Sequence, residues 1–589
     1  MFITNFSLLI IVSLRSVFKL TQNMKKIVPF LLFLTLTTVL SAQGFSSPQQ
    51  RKLTNALTAI SNLYVDSIND KKLVENTIEA VLKELDPHSS YISKEEVERV
   101  NEPLEGSFEG VGIQFQMFED SLLVVQTVAG CPAEKVGVLP GDRIIYINDE
   151  LVAGVKMPNS GIFKRLRGPK GTEVSVKIRR GGKSELIEFK IIRDKIPLYS
   201  VDATYMIGKD IGYIKVNNFG SSTVAEFEKA FNELQKKGMK YLILSLQGNG
   251  GGYLNAAIEM ADEFLAKNNL IVYTQGLNQP KTVAEATALG DFEKGKLIVL
   301  VDEYSASASE ILSGALQDWD RAIIIGRRTF GKGLVQRQFP LIDGSMMRLT
   351  VARYYTPTGR CIQKSYKGGY EKYEMDLVDR FKKGELLHAD SIHFPDSLRY
   401  QTLKLKRTVY GGGGIMPDIF VPLDTTRYTD FHRKIVARGI VNKVCTQYII
   451  KNRAELKKKY PTFEKYKKEF QIDDTVLNSL ISMDEIEKTK MAKVHKDSIS
   501  IPLKLKNDRN AKQNESPKML NSIKNNKDSI DLSEFEKSKP LIKLQMKALV
   551  ARDLWEMNEY YQIMDADNES LQKAINILQT PGAYEKILK

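Results

Sequence analysis

The chain has 589 residues, of which 42% are hydrophobic and 26% charged, so it is too long for one core and too apolar for a disordered polymer. Its formal charge of +14 would suit an anionic partner, yet the excess is lysine dispersed through the last third with no nucleic-acid motif beside it. We therefore read a solvated surface and exclude nucleic acid, leaving only proximity to an anionic membrane open. Three distant cysteines (Cys131, Cys361, Cys445) and five unclustered histidines give neither a disulfide framework nor metal-ligand spacing, so no metal or other cofactor is expected.

Taken in order, Met24-Lys25-Lys26, an apolar run over 27–40 and then Ser41-Ala42-Gln43 have the layout of a signal peptide. The run is short against the roughly 20 residues of a membrane helix. Residues 1–42 are thus expected to be a cleaved leader, with Met24 an alternative start and retention of the whole segment as an anchor the alternative fate, on a protein exported to the periplasm or cell envelope.

Residues 43–103 form a helical region: Leu53, Ala56, Leu57, Ile60, Leu63 and Tyr64 repeat at helical spacing, as do Val74, Ile78, Val81, Leu82 and Leu85. Asp86-Pro87-His88-Ser89-Ser90 breaks that pattern and closes the first unit near residue 100. Residues 104–192 carry short strands such as 122–128, 143–147 and 174–179 between Gly/Pro turns, a small β-rich module. Within it EGVGIQF (Glu109 to Phe115) and PAEKVGVLPGDRIIYIND (Pro132 to Asp149) resemble the PDZ domain. The resemblance implies that the loop Gly110-Val111-Gly112-Ile113 offers N–H groups to a terminal carboxylate. A peptide would then add beside the next strand, with Ile113 and Phe115 shaping the site.

Residues 193–425 alternate strands (211–216, 241–246, 296–301, 322–326) with helices (224–236, 253–265, 308–318), which predicts an α/β layered core. Residues 426–589 are a helical, lysine-rich extension. In it Phe431, Ile435, Ile440, Val444 and Tyr448 are spaced as on one helix face, and about 488–540 reads as a flexible polar segment.

The chemistry concentrates in VDEYSASASEILSGALQDWDRAIIIGRRTFGKGLVQ, Val301 to Gln336, which contains no histidine. A serine at a strand-to-helix junction has an exposed hydroxyl beside unpartnered N–H groups, and Ser307 sits at such a junction. Lysine can activate it where burial lowers the amine's pKa, and Lys332 lies between Gly331 and Gly333. Read singly, the Ser/Ala run is a helix cap and Gly-Lys-Gly an exposed turn. A phosphate loop is disfavoured because its GxxxxGK[ST] spacing is absent: Gly333, not Ser or Thr, follows Lys332, and Leu334 comes next.

Together these motifs resemble the C-terminal processing peptidases, or tail-specific proteases, whose central serine in SASASE precedes the lysine of FGKG by the same 25 positions. The resemblance implies a multidomain α/β protein with a crotonase/ClpP-like Ser/Lys peptidase core. In that core Ser307 would be nucleophile, Lys332 general base and Gln336 the residue that orients the lysine. SLQGNGGGYLNAA (Ser245 to Ala257) resembles the family's glycine-rich turn, which implies an oxyanion hole from an N–H at Gly250 or Gly251 and that of Ala308. Here Ser245 and Gln247 stand where the family commonly has aspartate and arginine. The motifs LDPHSSYIS and GGGGIMPDIFVP extend the resemblance over about 53–425.

The implied activity is an exported serine endopeptidase acting on unfolded or C-terminally exposed polypeptides through an acyl-enzyme. The rival reading is a PDZ scaffold with an inactive peptidase domain, which a serine-reactive probe would separate from it. A hydrolase of small acyl substrates is disfavoured because the PDZ-like module implies peptide partners. Oligomeric state is open.

Overall fold

The computed structural model describes residues 48–118, 120–181, 183–483 and 532–588. The expected leader therefore lies outside the described residues, as does the expected flexible segment up to 531. From Leu532 the chain is helical to Leu554, so that segment does not reach 540 as expected. Among the described residues no helix is long and apolar enough to cross a membrane.

The chain divides at Val81/Leu82. Before the division, the expected helical pair is present as Pro48–Leu63 and Asp70–Lys83, the first with no buried residue. Beyond it, Asp86-Pro87-His88-Ser89 does not end a unit. Strand Ser90–Ile92 pairs antiparallel with Met346–Tyr355, Ser90 opposite Arg348, and helix Lys94–Glu105 leads on to the β-rich module.

That module is entered and left by paired strands, Ser107–Gly110 against Asp194–Pro197. Its sheet ends at strand Ile113–Phe118, which among the described residues pairs only with Ser121–Thr127 and leaves its other edge unpaired. Ile113, Phe115 and Met117 alternate inward onto the module's core.

The second sheet has six strands in the order Val201–Ile207, Ile211–Val216, Tyr241–Ser245, Lys296–Val301, Ile323–Gly326, Ile419–Phe420. Its first pair is antiparallel and the rest are parallel. Every residue of Ile211–Val216 is buried, as expected of parallel strands covered on both faces. On one face Leu242, Leu244, Val299 and Ile324 meet Phe227, Met260, Leu312 and Ala315 from the three helices predicted. On the other, Ile243, Ile298, Leu300 and Ile325 meet Leu571, Ala574, Ile577 and Tyr584.

The last helices, Glu569–Gln579 and Ala583–Ile587, thus form a layer of the α/β core. Tyr584 fastens them by accepting from the N–H of Leu297 at 3.2 Å and donating to its carbonyl at 3.1 Å. The predicted helix through Phe431 and Tyr448 is two helices, Asp430–Ala437 and Ile440–Lys459. Gly439, at φ +67°, turns the chain between them.

Candidate functional site

Strand Lys296–Val301 delivers the chain to Ser307, the residue preceding helix Ala308–Asp318. Ser307 has φ +56° and ψ −112°, outside the regions ordinary side chains favour, and stays there only because its surroundings hold it. The holding group is Glu310, fully buried in the first turn of the same helix. Its carboxylate accepts from the N–H of Ser307 (2.8 Å), Thr329 Oγ1 (2.5 Å) and the N–H groups of Gly331 (2.7 Å) and Lys332 (2.9 Å). From the carbonyl side, the buried Tyr354 hydroxyl contacts Ser307 O at 3.1 Å and also donates to Lys332 O. Two side chains therefore fix the main chain of Ser307 to that of Lys332.

Ser307, Lys332 and Gln336 line one cleft of about 600 Å³, together with Gly250, Gly251 and Ala308. All six residues expected to form the catalytic site are thus brought together. Gln336 opens onto the cleft after a β-bulge at Val335/Gln336, a device that redirects side chains. Its Nε2 is buried without a hydrogen-bond partner. Burial lowers the Lys332 ammonium below its usual range and the positive charge of Arg348 adds to this, against Glu310 and Asp86.

The two candidate oxyanion amides of the glycine turn are not equivalent. Both line the cleft, but Gly251 N–H donates to Asn249 Oδ1 at 2.8 Å and is engaged within the turn, which leaves Gly250 as the other of the two expected alternatives. Ala308, first in its helix, has an N–H with no intrahelical acceptor. The turn passes so close to its neighbours that a Cβ on Gly252 would lie 2.1 Å from Phe219 O.

Gln247, just before these glycines, is held twice: Lys215 Nζ donates to its carbonyl and Asn568 Nδ2 to its Oε1, each at 2.8 Å. The missing aspartate and arginine thus do not leave this turn untethered.

Sequence reasoning missed Glu310, Tyr354 and the Asp86 segment. Asp86 accepts from Ser89 Oγ (2.6 Å) and Thr350 Oγ1 (3.0 Å). His88 Nε2 meets Tyr373 OH at 2.7 Å. Burial, then the charge of Lys332, lowers His88 to about 4, so its ring is neutral at pH 7. Glu310 stands in the recognised motif and its acidic character was the available signal. The Asp-Pro-His-Ser turn gave no sign of its distant partner strand.

In the β-rich module Gly110, Val111 and Gly112 are buried. The loop's carbonyls are tied inward, Val111 O accepting from Ala133 N and Gly112 O from Val128 N, both at 2.9 Å. Phe115 packs against Phe163 of helix Asn159–Leu166, ring centroids 5.0 Å apart, across from the unpaired strand edge.

Burial pushes the Glu310 carboxyl from 4.5 up to about 7, its hydrogen bonds opposing. Between those values the folded chain holds a proton that the unfolded chain has released, so this group's stabilising contribution falls as pH rises through the window. Glu310→Gln should flatten that slope in urea titrations and cost about 1–3 kcal/mol, because the amide nitrogen cannot accept from the donors it would face. Identical pH slopes in the two proteins would count against a buried titrating carboxyl.

Residues 210–371 match the model of peptidase family S41, residues 110–191 that of the PDZ domain, and residues 431–506 and 503–556 a family of unknown function. The carboxy-terminal processing protease CtpB of Bacillus subtilis (strain 168) is 37% identical over 338 residues, 57% of this chain and 69% of that protein. A carboxy-terminal-processing protease of Bartonella bacilliformis is 37% identical over 343 residues, 56% of this chain and 78% of that one. A solved photosystem II D1 C-terminal processing protease is 29% identical and covers 54% of this chain and 91% of its own, at a TM-score of 0.31. Identity sustained over most of two such proteases means that the chain belongs to the carboxy-terminal processing proteases of peptidase family S41, serine endopeptidases that here carry a PDZ domain.

Proposed function

We propose that Ser307 and Lys332 are the catalytic dyad of an exported endopeptidase that captures polypeptides by their C-terminal ends. The observation that carries this reading is the common cleft of Ser307, Lys332, Gln336, Gly250 and Ala308, with an amine whose pKa burial has lowered. Neutral Lys332 takes the Ser307 hydroxyl proton as Oγ attacks the scissile carbonyl, and Gln336 directs the amine. The N–H groups of Gly250 and Ala308 hold the tetrahedral oxyanion. The Lys332 ammonium then protonates the departing amine, leaving an acyl-Ser307. Water, deprotonated by the same lysine, attacks the ester and regenerates the hydroxyl. Every proton moves among serine, lysine, water and substrate, so the cycle closes without a cofactor.

Ser307→Ala and Lys332→Ala should each remove nearly all cleavage of an unfolded protein while the fold persists, and the double variant should be no worse than either alone, since the pair works as a unit. Wild-type activity should rise with pH to a midpoint below the ordinary 10.5 of lysine. Retained cleavage by either pure single variant would refute the dyad.

Capture through the PDZ domain is supported by the unpaired edge of Ile113–Phe118 and by the inward-tied carbonyls of the Gly110–Ile113 loop. A strand-adding peptide would end at that loop, with Phe115 beside its last side chains. Peptides with a free C-terminal carboxylate should bind more tightly and be cut faster than their amidated counterparts. Equal handling of both forms would sink carboxylate reading and leave the dyad standing.

Export rests on the charged, apolar and small-residue sequence preceding residue 43. N-terminal sequencing of protein recovered from the cell envelope should begin near Gln43. A start at Met1 or Met24 would rule out the cleaved leader.

A further inference from the structure

The glycine turn is gripped on the side opposite the substrate cleft. Gln247 stands three positions before Gly250, with Gly248 between them at φ +76° and nothing within 4 Å of where a Cβ would be. Gly248 and Gly250 have no side chains to anchor them, so the stretch takes its position from the buried Asn249 between them, whose Nδ2 donates to Val216 O at 3.0 Å and whose Oδ1 accepts from Gly251 N at 2.8 Å, and from the groups bonded around it. Gly248 N–H is held by Asp302 Oδ1 at 3.0 Å, and Asn249 O by Ala306 N (3.0 Å) and Ser309 Oγ (2.9 Å). Gln247 itself has Lys215 Nζ on its carbonyl and Asn568 Nδ2 on its side-chain oxygen.

Both of these donors are fixed. Lys215 is 8% exposed, next to the charges of Asp565 and Asp202. Asn568 Oδ1 accepts from Leu571 N at 3.2 Å and so caps helix Glu569–Gln579, whose apolar face lies on the sheet. Gln247, Lys215 and Asn568 line a separate polar cleft of about 370 Å³ that shares no residue with the cleft around Ser307. Among the described residues Asn568 therefore touches the turn only through Gln247, while its cap on helix Glu569–Gln579 bears on the sheet, so the two routes must be separated by the variants chosen.

We propose that Asn568 is a positioning residue: through Gln247, and with Lys215 on the same residue, it fixes the Gly250 N–H where the oxyanion forms. This rests on the reading of Ser307 as nucleophile and Gly250 as oxyanion donor. A displacement of the donor weakens contacts made in the transition state and leaves substrate binding alone, so it falls on kcat and not on KM.

The test uses the full chain and a fluorogenic peptide with a free C-terminus. Asn568→Ser keeps a hydroxyl to cap the helix but is too short to reach Gln247. We expect its kcat to fall about tenfold, as small misplacements of catalytic groups do, with KM and the thermal midpoint unchanged. A peptide aldehyde, which forms a tetrahedral adduct with the serine, should bind weaker by about the same factor. Gln247→Ala should lose as much as Asn568→Ser, and the double variant no more than either, because one hydrogen bond is shared.

A merely structural role would lower the thermal midpoint and leave the kinetics of the folded fraction intact. That result, a wild-type kcat for Asn568→Ser, or losses that multiply in the double variant would each overturn the proposal. Full cleavage by Ser307→Ala would instead overturn the reading beneath it. Abolished cleavage in that variant beside an unaltered Asn568→Ser would reject the role of Asn568 alone.

Discussion

One buried carboxylate joins two stretches of main chain that the sequence separates by more than twenty residues. Glu310 receives the N–H of Ser307 through one oxygen together with that of Lys332, while its other oxygen takes Gly331 N–H and the Thr329 hydroxyl. An anion removed from water this completely is costly unless its acceptors are filled, and four donors fill them. The same bonds hold Ser307 at its positive φ, a conformation a non-glycine residue keeps only where its surroundings impose it. The relative placement of the proposed nucleophile and base is therefore a property of the backbone, and the reacting side chains need not bond to each other to maintain it. Tyr354 adds a second constraint from the carbonyl side.

That backbone arrangement depends in turn on a sheet buried on both faces. Strand Tyr241–Ser245 leads to the glycine turn and strand Lys296–Val301 to Ser307, paired in parallel with Ser245 opposite Leu300, so both deliver their loops at the same edge. Ligand sites in parallel α/β sheets commonly lie beyond this carboxyl edge. Such strands are stable only if neither face meets water. Here the second face is covered by residues 569–588, so the chain's final helices support the catalytic edge from nearly 270 positions beyond Ser307.

The local part of this design was legible. Alternating apolar strands and amphipathic helices gave the sheet's first face, and the serine at a strand-to-helix junction gave the cleft, because period and junction are written in neighbouring residues. What was not legible depends on long-range partners. Ser90–Ile92 reads as the tail of a turn until Met346–Tyr355 lies beside it. Nothing in the sequence singles out Asn568, and only folding puts Gln247 within its reach, 321 positions away. The misread helix over Phe431 to Tyr448 had a local cause: apolar spacing continues through Gly439 although its left-handed backbone ends one helix and begins another. The choice between Gly250 and Gly251 was open in the sequence, because the engagement of Gly251 N–H depends on how the Asn249 side chain folds back, which the glycine pattern does not specify.

Burial does most to lower the Lys332 amine, and where Glu310 places its hydrogen bonds limits how far its charge opposes that. A carboxylate facing the amine directly would keep the ammonium charged and defeat a general base, since opposite charges at close range favour ionisation of both. Glu310 binds the backbone N–H of Lys332 and three other neutral donors, and burial raises its own carboxyl to about 7, which weakens its hold on a positive neighbour. Arg348, opposite Ser90 in the paired strand, acts in the contrary sense and disfavours a second cation in the cleft. The Asp86 segment thus contributes in two ways: its strand pairs with the one that carries Arg348, and its carboxylate moderates that arginine's effect on the lysine. Burial is the largest influence lowering the Lys332 amine, Arg348 adds to it, and Glu310 and Asp86 oppose it, the bonds of Glu310 being made to main-chain N–H groups and a hydroxyl and not to the amine.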